Sequence, residues 1–377
     1  MKPYRVGVIG FGFIGKVHAY GYLNLPLFYD PPPLEARITH VCTSRRETAE
    51  KAAALVGAER SATDYREVTE NPDIDIVHIC TPNNLHKDML LSAMRHQKHI
   101  YCDKPLAATM DEARQIQAAL KDYRASAQMT FQNRFFPATM RAQQLVEEGF
   151  LGQVLEYRAV FLHSGSADPK APLKWKLSAA AGGGVIADLA SHVFDLVHHL
   201  LGDYDRLLAA THIAYPERPS ADDPSRRVPV DAEDCVMVLA RMRSGALGTI
   251  EASKIATGAE DDLRFEIHGS RGALRFSNLD LQHLEAFDAA EAEAPLGGAQ
   301  GWKRIDTGQR YPRPASGFPG GKVSPGWLRG HVACLAHFLQ CIAEGKPGDP
   351  GLAQGIYVQR LMECAKQSAR DGTWRQV

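Results

Sequence analysis

Tyr4-Arg5-Val6-Gly7-Val8-Ile9-Gly10-Phe11-Gly12-Phe13-Ile14-Gly15 decides the fold of the N-terminal part of the chain. Val6, Val8 and Ile9 belong to a short buried strand, and residues 16–23 have the composition to start a helix, so the glycines lie at a strand-to-helix turn. In that setting Gly10 permits the turn, Gly12 lets backbone approach a pyrophosphate, and Gly15 lets helix and strand pack closely. The pattern predicts a Rossmann-type dinucleotide-binding domain over residues 1–128.

The residues that follow extend this reading. Residues 24–33, with Pro31-Pro32-Pro33, form a long connection before a second strand at 36–42. Thr43-Ser44-Arg45-Arg46 stands at its end, where an acidic residue would bind the ribose diol of NAD. A small hydroxyl followed by arginines suits a 2'-phosphate instead, so NADP is favoured over NAD, although a solvated helix start would look the same. Two more strands, 74–80 and 99–102, run into Thr81-Pro82-Asn83-Asn84-Leu85-His86 and Asp103-Lys104-Pro105. Ligands bind at the carboxyl ends of parallel strands, which makes Thr81, Pro82, Asn83, His86, Asp103 and Lys104 cofactor-lining candidates beside Gly10, Phe11, Gly12, Phe13, Ile14, Gly15, Thr43, Ser44 and Arg45. Thr109 and Glu112 have the spacing of a capping box.

From residue 129 to 377 the pattern changes to a helix at 137–148, a long strand at 154–163, and hairpins built from 234–242 with 246–255 and from 263–268 with 272–277. This describes an α+β domain for binding substrate and, through its sheet, a partner, with C-terminal helices that could instead pack back on the first domain. Cys235, Met237 and Leu239 alternate with Val236, Val238 and Ala240, so that strand is apolar on both faces and its second face is expected to meet another subunit. Residues 215–231 and 285–326 read as loops, and 327–344 and 352–368 as helices.

Gly182-Gly183-Gly184 precedes an apolar helical stripe in which Asp188 and His192 are spaced i, i+4. The pair is either a general base with its orienting acid or two helical side chains that satisfy each other. His192, His198 and His199 lack metal-ligand spacing, so no metal is expected, and His18, His86 and His96 read as packing or surface residues.

Composition narrows the partners. The 377 residues are 45% hydrophobic and 23% charged, with a formal net charge of -1, which argues against nucleic acid or an anionic membrane as partner. Seven scattered cysteines without a Cys-x-x-Cys pair fit a reducing compartment, and neither a signal peptide nor a run of membrane-spanning length is evident, so a cytoplasmic protein is expected.

The fingerprint at 10–15, Thr81-Pro82-Asn83 with His86, Asp103-Lys104-Pro105, and the three glycines followed by Asp188 and His192 occur in that order. Together they resemble the glucose-fructose oxidoreductase/inositol dehydrogenase family, also called Gfo/Idh/MocA. The resemblance implies an N-terminal Rossmann domain, a C-terminal α+β domain with a large, mostly antiparallel open sheet, and a homodimer or homotetramer built through that sheet. It implies NAD(P)-dependent oxidation or reduction at a secondary hydroxyl or ketone of a sugar, cyclitol or related polyol. It also implies Lys104, Asp188 and His192 as the catalytic set, with Arg134, His163 and Trp175 contacting substrate and Lys176 in the pocket wall. Asp103 replaces the more common glutamate of the family motif. Two alternatives are an NAD-dependent glycoside hydrolase that oxidises its sugar transiently, and a nucleotide sensor without catalysis; the sensor would be expected to lack one of the three catalytic residues.

Overall fold

The computed structural model describes residues 3–377, which divide into two compact units. The first takes in the chain up to Phe135 with residues 311–320 and 326–359; the second takes in 136–310, 321–325 and 360–377.

The first unit is built on six parallel strands: β1 (Tyr4–Ile9), β2 (Ala36–Cys42), β3 (Arg60–Ala62), β4 (Ile76–Ile79), β5 (His99–Cys102) and β6 (Ala127–Met129), in the order β3-β2-β1-β4-β5-β6. Both faces of a parallel sheet are covered, so β4 is buried at all four positions. Strand order reverses between β1 and β4, and the turn after β1 and the segment after β4 therefore flank the point where an open α/β sheet binds ligand. Helix α1 (Phe13–Phe28) extends beyond the expected start of the connection at residue 24, because Leu25 continues its buried stripe. The helix Trp327–Ala343 completes this core, its Val332, Leu335 and Phe338 joining Val6, Val8, Val41 and Tyr101. Thr109 and Glu112 form the expected capping box.

Behind β4 lies a histidine cluster. His18 and His78 face each other with Nδ1 atoms 3.0 Å apart, and the Tyr22 hydroxyl is 2.8 Å from His78 Nε2. Burial lowers the His18 pKa to about 3 and pushes those of His78 and His331 well below the ordinary value. These rings are neutral when folded and gain protons when unfolded, so their contribution to stability is complete above about pH 6.5 and falls as pH drops towards the folded pKa. Each neutral ring contributes a slope of up to about 1.4 kcal/mol per pH unit. Urea midpoints are expected to fall steeply from about pH 6.5 to about pH 5; a flat profile there would contradict this reading of the cluster.

The second unit contains β7 (Val154–Leu162), β8 (Tyr204–His212), a separate hairpin of β9 (Glu217–Pro219) and β10 (Arg227–Pro229), β11 (Cys235–Met242), β12 (Leu247–Ser253), β13 (Asp262–Gly269), β14 (Gly272–Ser277), β15 (His283–Asp288), β16 (Trp302–Asp306) and β17 (Arg375–Gln376). Nine of these form one sheet in the order β16-β15-β14-β13-β7-β12-β11-β8-β17, with β7 and β12 its parallel pair and the other neighbours antiparallel. Strands β9, β10, β15 and β16 fall in stretches expected to be loops. In β15, Leu284 and Ala286 are buried while Glu285 between them is not, and polar His283, Glu285 and Asp288 of this half-wet strand hid its period.

One face of the sheet carries Tyr157, Phe265 and Ile267 against Val193, Leu196 and Leu200 of the helix Ser191–Leu201. The opposite face exposes Met237, Leu239 and Leu247. Farther along, Arg158, Glu266, Arg275, Glu285 and Arg304 pair in register across five strands as a row of alternating charge. The segment Ala179–Leu201 is long and apolar enough, by composition, to cross a membrane, contrary to expectation, and 83% of its apolar window is buried inside the protein. Its hydropathy serves this core.

Candidate active site

In the first unit the glycine turn has the geometry its sequence demands. Gly10 has φ +87°, and a Cβ there would come within 2.5 Å of the Cys80 carbonyl oxygen. A Cβ on Gly15 would sit 2.2 Å from the Gly10 carbonyl oxygen, so glycine is what lets α1 start this close to β1. At Gly12, by contrast, a Cβ would meet nothing within 4 Å, which leaves open space at the helix N-terminus. Gly12 caps α1 without a side-chain bond, and the first turn holds no acidic residue. Backbone N–H groups and the helix dipole therefore favour an anion there, and a dinucleotide pyrophosphate fits.

At the end of β2 the Thr43 hydroxyl donates to the Arg45 carbonyl, 3.0 Å away, and lies 2.6 Å from the Thr48 hydroxyl. This tightens the start of α2 (Arg46–Val56) and leaves Ser44, Arg45 and Arg46 exposed. Thr81 and Pro82 follow β4, and Asn83 is buried in the short helix Asn83–Leu85. His86, also buried, has Nε2 2.9 Å from the Thr81 carbonyl oxygen and Nδ1 3.0 Å from that of Pro105. Its one N–H donates to one of these carbonyls, and its ring fills the space between the segment after β4 and the loop of Asp103 and half-buried Lys104. Burial lowers its pKa, while the two carbonyls pull the other way. Arg134, expected to touch substrate, is buried in the first unit, 3.9 Å from Asp349.

In the second unit Gly183 and Gly184 bring Asp188 to its partners. The Gly184 N–H donates to the Lys176 carbonyl at 2.9 Å, and a Cβ on Gly183 would lie 2.7 Å from that same carbonyl. Gly184 has φ +104° and packs on Glu233, whose Oε1 accepts from the Ile186 N–H at 3.0 Å. Burial raises the Glu233 pKa, opposed by these backbone bonds and by Lys366 and Lys254.

Asp188 lies in a π-helical turn, Ile186–Ala190, where an α-helical turn was expected, and such turns recur at functional sites. Its carboxylate accepts from Lys176 Nζ at 2.8 Å and pairs with Lys254 Nζ at 3.2 Å. His192 begins the α-helical part, buried, with its ring 5.8 Å from that of Phe161. His163 Nδ1 accepts from the Gly165 N–H at 2.8 Å, which fixes the neutral ring with its proton on Nε2. Burial lowers the His163 pKa; Asp188 and Asp261 oppose this, and Lys254 and Lys176 add to it. Trp175 is partly exposed, with Lys176 Nζ 5.9 Å from its ring centroid. Lys176 thus lies against both Asp188 and Trp175, and the charges of Asp188 and Lys176 act on His163. Sequence reasoning passed over Lys254 and Glu233, although a lysine inside the strand read at 246–255 and a glutamate directly before the one read at 234–242 were signals available to it.

Among the described residues no group of three or more His, Cys, Asp or Glu is placed to hold a metal ion. The paired groups suit proton transfer and the binding of hydroxyls.

Residues 4–131 match the NAD-binding Rossmann-fold model of the GFO/IDH/MocA oxidoreductase family, and residues 139–275 match a GFO/IDH/MocA C-terminal domain. The chain is 33% identical over 390 residues to levoglucosan dehydrogenase of Pseudarthrobacter phenanthrenivorans, a match that covers 100% of this chain and 99% of that one. The chain belongs to the GFO/IDH/MocA family. This family member also matches the solved structure of levoglucosan dehydrogenase in complex with NADH and levoglucosan, with a TM-score of 0.94, 33% identity and 100% coverage of both chains. Inositol 2-dehydrogenase of Rhizobium meliloti is 29% identical over 310 residues, covering 82% of this chain and 81% of that one. As a GFO/IDH/MocA protein the chain is an oxidoreductase with an NAD-binding Rossmann domain.

Proposed function

We propose that the protein oxidises a secondary hydroxyl of a sugar, cyclitol or related polyol to a ketone with NAD(P)+, and that Lys104, Asp188 and His192 are its catalytic residues. The observation that carries this reading is the full-length match to levoglucosan dehydrogenase. When bound, the nicotinamide accepts the hydride. His192 takes the hydroxyl proton, which relieves the positive character growing on the carbinol carbon. Lys104, a cation at the carboxyl end of β5, stabilises the developing alkoxide. Asp188 accepts a hydrogen bond from substrate or tunes His192, and His163, Trp175 and Arg134 contribute to substrate binding.

Gly10 to Gly15 would hold the pyrophosphate, with Thr81, Pro82, Asn83 and Asp103 along the same strand ends. NADP is favoured over NAD, on the support of exposed Ser44, Arg45 and Arg46 and the absence of an acid directly after β2. A screen of levoglucosan, inositols and common sugars with NAD+ and NADP+, read at the nicotinamide absorbance, tests the reading. Turnover of a polyol, faster with NADP+, is the expected result; no turnover with any polyol and either cofactor would refute it.

The protein works as a homodimer or homotetramer in a reducing, cytoplasmic compartment. Exposed Met237, Leu239 and Leu247 on one sheet face support the assembly, and seven free cysteines support the compartment. Sedimentation at micromolar concentration is expected to show an assembly that Leu239→Lys dissociates; a monomeric wild type would contradict it.

A further inference from the structure

We propose that Lys254 is a positioning residue for the polyol oxidation proposed above, fixing the Asp188 carboxylate from beneath; this inference rests on that reading. Lys254 directly follows β12, and its backbone is held on both sides: its N–H donates to the Asp234 carbonyl at 2.9 Å, and its carbonyl accepts from the Ser166 N–H at 2.8 Å. Its side chain is 5% exposed, and its Nζ lies 3.2 Å from Asp188 Oδ2. A buried ammonium group is costly unless paired, so this lysine and this aspartate hold each other in place.

Lys176 differs. It binds the other carboxylate oxygen at 2.8 Å, but its side chain is 48% exposed, where water and substrate compete for the same oxygen. Lys254 therefore anchors the Oδ2 side of the carboxylate, and Lys176 is the partner that substrate hydroxyls can displace. A carboxylate oxygen accepts more than one hydrogen bond, so the pairing with Lys254 leaves acceptor capacity for substrate. The turn that carries Asp188 is braced separately, by Glu233 on the Ile186 N–H.

The charged groups acting on half-buried His163 are Asp188, Asp261, Lys254 and Lys176. Removing the Lys254 charge takes away one cation that disfavours a protonated ring, so His163 should then titrate at higher pH.

The experiment compares wild type, Lys254→Met and Lys254→Arg, with levoglucosan and the inositols as probes. Three readouts are taken: steady-state kinetics, NADH affinity by fluorescence, and the titration midpoint of the His163 ring by NMR without substrate. Lys254→Met is expected to lower kcat/KM by about 10²-fold and Lys254→Arg to recover it to within about tenfold. NADH affinity should stay unchanged, and the His163 midpoint should rise in the Met variant and return in the Arg variant. Lys254→Gln replaces the Met variant should that fail to fold. Wild-type kcat/KM in the uncharged variant, or a His163 midpoint that does not move, would overturn the proposal. If wild type turns over no polyol, the functional reading falls and takes this inference with it, whereas polyol turnover by wild type that Lys254→Met leaves unchanged overturns the inference alone.

Discussion

His192→Ala and Lys104→Ala are each expected to lower kcat by about 10²-fold to 10⁴-fold while NADH still binds. The two residues do different work in the proposed reaction. Without His192 the hydroxyl proton has no acceptor as hydride departs, and the barrier rises by the loss of general-base catalysis. Without Lys104 the developing alkoxide loses a cation in a water-poor site. Neither side chain belongs to the glycine turn that would hold the pyrophosphate, which is why affinity for NADH should survive. Stopped-flow or steady-state turnover close to wild type in either variant would remove that residue from the catalytic set. Loss of NADH binding in Lys104→Ala would instead make it a cofactor ligand.

Gly15→Ala is expected to weaken NADH binding by about 10²-fold or more, a change of roughly 3 kcal/mol. The added Cβ would sit 2.2 Å from the Gly10 carbonyl oxygen, a backbone atom that moves only if the whole turn moves. Either α1 shifts away from β1 or the turn is displaced, and both misalign the N–H groups that would receive the pyrophosphate. Overpacking of this kind also costs about 1–3 kcal/mol of stability, so the melting temperature should fall with affinity. Gly12→Ala supplies the contrast, because its Cβ meets only open space and should leave stability unchanged while crowding the cofactor. Calorimetric titration showing wild-type affinity in Gly15→Ala would mean that the turn does not hold the dinucleotide.

The sequence carried the N-terminal part of the first unit, because its signals there are local, but not the share of residues 311–320 and 326–359 in it. The run from Tyr4 to Gly15 places a strand, a turn and a helix start within a dozen residues, and Thr109 with Glu112 marks a helix start through two reciprocal bonds. The second unit was less legible where its strands lie at the far end of an open sheet. In β15 and β16 one face is wet, and the charges of Glu285 and Arg304 belong to a cross-strand row that no single stretch of sequence displays. Asp188 and His192 were legible as candidates from their spacing after the glycines. The Lys254 partner was not, since an ion pair between residues 66 positions apart has no periodicity to reveal it. His86 looked like a lining residue by its place after β4. In the structure its ring is buried between the Thr81 and Pro105 carbonyls and, neutral, donates its one N–H to one of them.

In the proposed reaction hydride moves from a polyol carbon to a nicotinamide that leaves reduced. A polyol that the enzyme turns over, deuterated at its carbinol carbons, tests this directly when the nicotinamide is recovered and weighed by mass spectrometry. The account predicts one deuterium in each reduced nicotinamide and one new ketone for each of them. Sugar released by bond cleavage with no net reduction of the nicotinamide would contradict it and identify a hydrolase that only borrows the hydride.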